Sequence, residues 1–118
     1  MQAINDALKG RLSEITITVT GRKSGRAVSI PVWFVADDTT LYLLPVHGSD
    51  TQWYKNVLKN PTIRIKAGRA QGDFSLVPVT EPVQVSSIVE KFRAKYGDGG
   101  VRLYSKLDVA AVATILSK

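Results

Sequence analysis

The chain has 118 residues, of which 44% are hydrophobic and none is cysteine. This length fits one domain with its own core, and the lack of cysteine excludes disulfides, thiolate metal sites and a cysteine nucleophile. Sixteen Lys and Arg against ten Asp and Glu give a net charge of +6, which favours an anionic ligand or partner. No apolar run approaches membrane-spanning length, and residues 1–6 do not form a secretory signal, so we expect a soluble cytoplasmic protein.

The chain is predicted to open with a helix and a β-hairpin. Within residues 1–13, Ile4 and Leu8 share one face of a short helix. Isoleucine and valine then alternate with threonine over Glu14–Thr20, which is the period of a strand with one buried face. A second alternating stretch predicts a strand at Val28–Ala36.

The turn between these strands reads GRKSGR, from Gly21 to Arg26. Its cations, its serine hydroxyl and its glycine-freed backbone N–H groups are suited to hold phosphate or carboxylate. Hairpin turns also carry basic residues for solubility alone. The residues of the turn leave both interpretations open.

Two helices are predicted further along the chain. Gln52–Lys59 has helical spacing, with Asp50 or Thr51 as its cap and an Asn-Pro pair after its end. Ser87 with a glutamate three residues later forms a capping-box pattern, which predicts a helix that begins there and runs through Tyr96. A glycine-rich stretch follows and ends this helix.

The remaining strands are short. The tail is ambiguous, because Ala110–Leu116 fits a helical face and a buried strand equally well. The other predicted strands are Leu41–Leu44, Thr62–Ala67 and Phe74–Thr80, the last after a turn over residues 68–73.

Short strands joined by tight turns, with few helices, predict a mainly β protein built as a small barrel. A parallel α/β architecture is disfavoured, because it would need crossover helices between the early strands. We predict one domain, 1–118, with an N-terminal helical segment at 1–13 and a barrel with inserted helices at 14–118.

Four blocks of sequence occur in an order that resembles a known family. The resemblance is to the deazaflavin-dependent nitroreductases, within the FMN-binding split-barrel or pyridoxamine-phosphate-oxidase-like superfamily. It covers Ile15 to Ile65 well and the remainder loosely. The blocks are TGRKSGR at Thr20–Arg26, IPVWF at Ile30–Phe34, LYL at Leu41–Leu43 and WYKNVLKNP at Trp53–Pro61.

The resemblance implies a split β-barrel of about six strands that binds coenzyme F-420, or alternatively FMN. It further implies an oxidoreductase in which the reduced cofactor gives a hydride to a quinone, a nitro compound or an enone. Residues 106–110 resemble the entry to the family's last strand, so the resemblance makes Ala110–Leu116 a strand.

The resemblance also implies site residues. The basic turn would hold the phosphate and acidic tail of the cofactor, and the loop and aromatic residues would surround its ring. Tyr96 and Tyr104 would cover the substrate side, where either could donate the proton that completes reduction. Deazaflavin chemistry resides in the ring, so neither a metal nor a protein nucleophile is expected. The implied cofactor-binding residues are Arg22, Lys23, Ser24, Arg26, Trp33, Val46, His47, Gly48, Trp53 and Tyr54.

Two other functions agree with the same residues. One is an FMN-binding oxidoreductase or flavin carrier of the same barrel class, in which Arg26 would be idle. The other is a non-enzymatic basic barrel that binds nucleic acid. Nucleic acid is disfavoured, because the aromatic residues flank turns and helices and do not repeat along one strand pair. We also expect a homodimer, because related split barrels commonly pair.

Overall fold

The computed structural model describes residues 7–8 and 12–115. Within them, eight strands form two antiparallel sheets of four strands each. The first sheet contains, in spatial order, β2 (Ala27–Trp33), β1 (Glu14–Thr20), β5 (Thr62–Ala67) and β6 (Ala70–Ser75). The second contains β3 (Val35–Ala36), β4 (Thr40–Leu43), β8 (Ala110–Thr114) and β7 (Val77–Val79).

Two stretches of chain pass from one sheet into the other and close the barrel. β2 continues into β3 across Phe34, and β6 continues into β7 across Leu76. These corner residues are 0% and 1% exposed, so their side chains lie in the core. The predicted strand Val28–Ala36 corresponds to the first of these stretches, and the predicted strand Phe74–Thr80 corresponds to the second from Phe74 onward. The mainly β barrel of about six strands is confirmed.

The alternation in β1 determines which of its faces is buried. Ile15, Ile17 and Val19 are at most 3% exposed and lie in the core, whereas the threonines between them are half-buried on the outer face. β2 is the end strand of the first sheet. Pro31 is tolerated there because an end strand can leave one side of its backbone unpaired.

Helix α1 spans Gln52–Lys59, as predicted, and follows a 3₁₀ turn at Gly48–Asp50. Helix α2 spans Pro82–Val101 and begins earlier than predicted. The Glu81 carboxylate accepts the N–H groups of Val83 and Gln84, and proline occupies the first helical position, both of which favour a start there. The prediction that the capping box at Ser87 opens this helix is therefore wrong.

Gly97 interrupts α2 where the helix was predicted to end, but one further turn follows it, so the prediction that the glycine-rich stretch ends the helix is wrong in part. The φ of 80° and ψ of 170° at Gly97 are not helical, and the chain resumes helical geometry up to Val101. Neither helix of the described chain is both long enough and apolar enough to cross a membrane.

Three other predictions concern strand ends and termini. β6 begins at Ala70, so the predicted turn over residues 68–73 is shortened to a tight turn in which Gly68 has a φ of 62°. The tail is a strand, Ala110–Thr114, as the family resemblance implied. Ala7 and Leu8 are helical, and Leu8 lies in the core. Residues 1–6, 9–11 and 116–118, which include most of the predicted N-terminal helix, lie outside the described residues.

Candidate functional site

A cavity of about 340 Å³ opens beside the end strand β2. Its walls come from β2, the segment after β4, the start of α1 and the loop after α2. No charged side chain of the described residues lines it. The lining residues are Ile30, Pro31, Val32, Trp33, Leu44, Val46, Thr51, Gln52, Trp53, Leu103 and Tyr104.

The cavity brings together four of the residues that the sequence predicted for a site. Trp33, Trp53 and Tyr104 supply its aromatic wall, and Val46 lies at its exposed rim. Trp53 is 4% exposed and belongs to the main core cluster as well. These residues come from four separate parts of the chain, so the fold and not local sequence creates the apolar pocket.

Trp33 is held in place by stacking. Its ring lies 4.4 Å from that of Tyr96, with planes 10° apart, which is a favourable stacked arrangement. Gly100 allows this close approach, because a Cβ there would lie 2.8 Å from the Tyr96 Cβ and 3.1 Å from the Trp33 Cζ3. One side of the indole is therefore fixed by α2, while the residue also lines the cavity.

Tyr104 is the phenol that lines the cavity. It is 9% exposed, and burial raises the pKa of its hydroxyl, with a smaller effect from Tyr96. Within the described residues its hydroxyl has no hydrogen-bond partner, and it is not sealed from solvent. A buried phenol without a protein partner has hydrogen-bonding capacity left for a ligand.

Tyr96 does not line the cavity and instead holds the corner between β2 and β3. Its hydroxyl oxygen lies 2.7 Å from the carbonyl oxygens of both Ser13 and Phe34. It also accepts the Phe34 N–H at 3.1 Å. These contacts engage the hydroxyl with the backbone of the barrel.

We expect Tyr96→Phe to lower the free energy of unfolding by about 1–3 kcal/mol, because the Phe34 N–H loses its acceptor. The stacking on Trp33 is retained, so ligand affinity should change less than twofold. Urea denaturation measures the first quantity and fluorescence titration the second. Tyr42→Phe is the control, because its hydroxyl bonds Asp37 at the surface and its loss should cost less. A large drop in ligand affinity with no loss of stability would contradict this role for Tyr96.

Arg22 folds the basic turn onto α1. Its backbone N–H and its Nη1 both donate to the Asn56 Oδ1, at 3.1 and 2.7 Å. Its Nη2 donates to the Gln52 Oε1 at 2.9 Å, and the Lys59 Nζ donates to its carbonyl oxygen at 3.0 Å. The first cation of the predicted anion site is thus fixed beside a residue that lines the cavity.

The other members of the basic turn are exposed and do not line the cavity. The Ser24 Oγ accepts the Arg26 N–H at 3.2 Å, which orders the turn around Gly25, whose φ is 70°. Lys23 and Arg26 present their charges to solvent. They therefore remain available to an anion that reaches past the rim of the cavity.

The loop at Val46 is fastened to the segment that follows α2. The Ser105 N–H donates to the Val46 carbonyl at 2.8 Å, and the His47 Nδ1 lies 2.7 Å from the Ser105 Oγ. Asp108 accepts the Ser49 hydroxyl at 2.6 Å and its N–H at 3.0 Å. The hydrogen bond from the Ser49 hydroxyl is the main reason why the pKa of Asp108 lies below its ordinary value. Two walls of the cavity are thereby tied to each other.

His47, Gly48 and Tyr54 support the cavity without lining it. Gly48 has a φ of 58°, and a Cβ there would collide with the Asp108 carboxylate, so glycine is required for the loop to fit. Tyr54 is 3% exposed and meets Trp53 edge-on at 6.4 Å. Burial raises the pKa of Tyr54, with a smaller effect from Asp108.

Sequence reasoning missed several residues of the site. Leu103 lines the cavity, but its apolar character resembles that of any core residue. Gln52 and Asn56 carried a weak signal, because amides four residues apart lie on one face of a helix. Ser105 carried no signal, because its partners lie far away in the sequence.

Residues 7–117 match the family described as "Uncharacterized protein conserved in bacteria (DUF2255)". The chain belongs to this family. No protein of curated function matches the sequence significantly. A structure described as an F420-H2 dependent reductase (FDR-A) is similar to this DUF2255 chain, with 20% identity, a TM-score of 0.67, and coverage of 86% of this chain and 93% of that one.

Two other solved structures share the fold. The heme storage protein HutZ from Vibrio cholerae has 14% identity, a TM-score of 0.70, and coverage of 99% of this chain and 89% of HutZ. A candidate pyridoxamine 5′-phosphate oxidase from Listeria innocua has 12% identity, a TM-score of 0.68, and coverage of 99% and 93%. At these identities the likeness establishes the fold, and the predicted split barrel is confirmed.

Proposed function

We propose that this protein binds a flavin-like cofactor in the cavity beside β2, with the deazaflavin F-420 as the first choice. With it the protein acts as an oxidoreductase on a small electron-poor acceptor such as a quinone, a nitro compound or an enone. The observation that carries the proposal is an apolar cavity with aromatic walls and the Tyr104 hydroxyl, which has no hydrogen-bond partner among the residues that the structure describes. The description of the similar FDR-A structure as an F420-H2 dependent reductase supports the same choice.

The residues present fit such a cofactor. A cavity of about 340 Å³ lies within the range of small-molecule sites, which are mostly apolar with few polar groups. Trp33 and Trp53 offer aromatic surface for a flat ring. Because the lining carries no charge, the ring portion suits the cavity, whereas the phosphate and carboxylates suit the basic turn that begins at Arg22.

When bound and reduced, the deazaflavin supplies the hydride. The chain binds and orients it, and the buried side chain of Leu44 excludes water from one wall of the cavity. Since burial raises the pKa of Tyr104, its hydroxyl keeps its proton at neutral pH. It can then donate a hydrogen bond to an oxygen of the acceptor. It can donate a proton only after the arriving hydride has made that oxygen a stronger base than the phenolate.

Tyr104→Phe is therefore expected to lower kcat by about 100-fold, which is the usual size of a general-acid contribution. Cofactor affinity should stay within about twofold, because the ring surface is retained. The measurement is steady-state oxidation of reduced F-420 with a quinone or nitro acceptor. Tyr42→Phe, which removes a surface hydroxyl, should leave kcat unchanged. If Tyr104→Phe keeps the kcat of the wild type, Tyr104 does not donate the proton and serves only in packing.

The activity itself is tested by the same assay on the wild-type protein. Acceptor-dependent oxidation of reduced F-420 is expected at enzyme concentrations far below that of substrate. FMN is the second candidate cofactor, because it too has a flat ring for the cavity and a phosphate for Arg22. If the protein turns over reduced FMN but not reduced F-420, it is an FMN-dependent oxidoreductase and not an F-420-dependent one.

The alternative of nucleic-acid binding finds less support. A stacking surface for bases needs exposed aromatic residues along a groove, whereas Trp33, Trp53 and Tyr104 gather around one cavity. The homodimer remains a prediction, which light scattering coupled to size-exclusion chromatography measures directly.

A further inference from the structure

We propose that Gln52 and Asn56 form a neutral amide clamp that holds the Arg22 guanidinium as the receptor for the phosphate group of the ligand. This deepens the proposed function and rests on it, because the ligand's uncharged part is taken to occupy the adjacent cavity. The clamp makes Gln52 and Asn56 positioning residues, and Arg22 the residue that binds the anion.

The clamp is defined by three hydrogen bonds. Gln52 and Asn56 are four residues apart and project from the same face of α1. The Asn56 Oδ1 receives both the backbone N–H and the Nη1 of Arg22, and the Gln52 Oε1 receives its Nη2. Asn56 is 7% exposed, so its amide is a fixed anchor. A long and otherwise flexible side chain is therefore held in one orientation.

The clamp holds the guanidinium without cancelling its charge. Amide oxygens accept hydrogen bonds but carry no net charge, whereas a carboxylate at either position would form an ion pair. Elsewhere the chain does pair its cations: Arg64 with Asp73, Arg93 with Glu90, and Lys106 with Asp50.

The basic turn and its helix differ from those pairs. Within the described residues, no ion pair involves any of their five cations, which are Arg22, Lys23, Arg26, Lys55 and Lys59. An oriented guanidinium with spare N–H groups and no carboxylate partner is a receptor for phosphate, which it binds through paired hydrogen bonds.

The position of the clamp connects this receptor to the cavity. Gln52 lines the cavity and bonds Arg22 through its Oε1. The guanidinium thus lies one side chain away from the apolar pocket. The Lys59 ammonium, bonded to the Arg22 carbonyl, adds a second positive charge. A ligand with an uncharged ring and a phosphate on a short chain matches this arrangement, and both F-420 and FMN have that chemistry.

Asn56→Asp tests the clamp, because it preserves the shape of the side chain and converts the amide into a carboxylate. A merely structural role predicts that the Arg22 contact is kept or strengthened and that anion binding is unchanged. The proposed role predicts an equally stable fold with at least tenfold weaker anion binding. Gln52→Glu is the second variant, since Gln52 is exposed at the helix start and the substitution should be tolerated even if Asn56→Asp does not fold.

The probe is inorganic pyrophosphate, followed by NMR through the Arg22 backbone N–H and Nε–H signals. Saturable shifts of these signals are expected in the wild type, with at least tenfold weaker affinity in Asn56→Asp and Gln52→Glu. Asn60→Asp is the matched control, because it adds the same charge one helical turn beyond Asn56 without a hydrogen bond to Arg22. It should keep affinity within about threefold.

Three results would overturn the clamp: no saturable shift at Arg22, unchanged affinity in both clamp variants, or equal losses in Asn60→Asp.

The proposed function fails separately. If pyrophosphate binds at Arg22 and F-420 does not bind, the cofactor assignment is wrong and the clamp stands. If F-420 binds equally tightly to the wild type and to both clamp variants, the clamp is refuted and the assignment of F-420 as the cofactor stands. Parallel titrations with FMN and F-420 then show which of the two cofactors loses more affinity in Asn56→Asp.

Discussion

Replacing Val46 with tryptophan is expected to weaken binding of F-420 by at least about 100-fold, or about 2.7 kcal/mol. Val46 lines the cavity and is 43% exposed, so a large side chain has room to enter the pocket without disturbing the core. The free energy of unfolding should stay within about 0.5 kcal/mol of the wild type, as for most surface substitutions. The two measurements are fluorescence titration and urea denaturation.

Val28→Trp is the matched control for this substitution. Val28 is 40% exposed and lies on β2, but it does not line the cavity, so the same change of side chain should leave affinity within about twofold. Full F-420 affinity in Val46→Trp, with a bound cofactor still detected, would show that the ligand binds elsewhere. Equal losses in the two variants would point to a general effect of the added tryptophan.

The largest effect on stability is expected from Phe34→Ala, which should cost about 3–5 kcal/mol, as for other buried phenylalanines. Phe34 is 0% exposed at the corner where β2 becomes β3. Its carbonyl accepts the Lys95 Nζ at 2.8 Å, and that ammonium lies 3.8 Å from the centre of its ring. Loss of the ring leaves a cavity in the core and removes the aromatic surface under Lys95.

Urea denaturation of Phe34→Ala measures this cost, provided that both proteins unfold in two states. Leu58→Ala is the control, because Leu58 is a large aliphatic residue that is 56% exposed and its loss should cost less than about 0.5 kcal/mol. A loss below about 1.5 kcal/mol in Phe34→Ala would mean that the corner collapses around the smaller side chain and does not anchor the barrel.

The local sequence pattern was sufficient to predict those helices and strands whose two ends are both marked by neighbouring residues. β1, α1 and β5 have the predicted boundaries, because strict alternation or a helical repeat ends at a turn signal in each case. Thr51 is the N-cap residue of α1, as predicted, but its side chain makes no capping hydrogen bond. β6 was predicted four residues short, because Gly72 and Asp73 are poor strand formers. Its pairing with β5, in which Arg64 faces Asp73, overrides that preference.

The division of one predicted strand between two sheets could not be read from the sequence. Nothing in Val28–Ala36 marks Phe34 as a corner. The bend depends on Tyr96 and Lys95, whose contacts with Phe34 span 62 and 61 residues of sequence. Similarly, the turn's Arg22 depends on Asn56, which is 34 residues away. The residue types of the site were predictable, but the partner of each side chain was set by the fold.

The central claim is that the cavity beside β2 binds a flavin-like cofactor, and fluorescence titration of the purified protein with F-420 and, in parallel, with FMN tests it most directly. We predict saturable F-420 binding at micromolar concentration or tighter, weaker binding of FMN, and loss of F-420 binding in Val46→Trp. If neither cofactor binds the wild-type protein at micromolar levels, the split barrel stands and the proposed function is wrong.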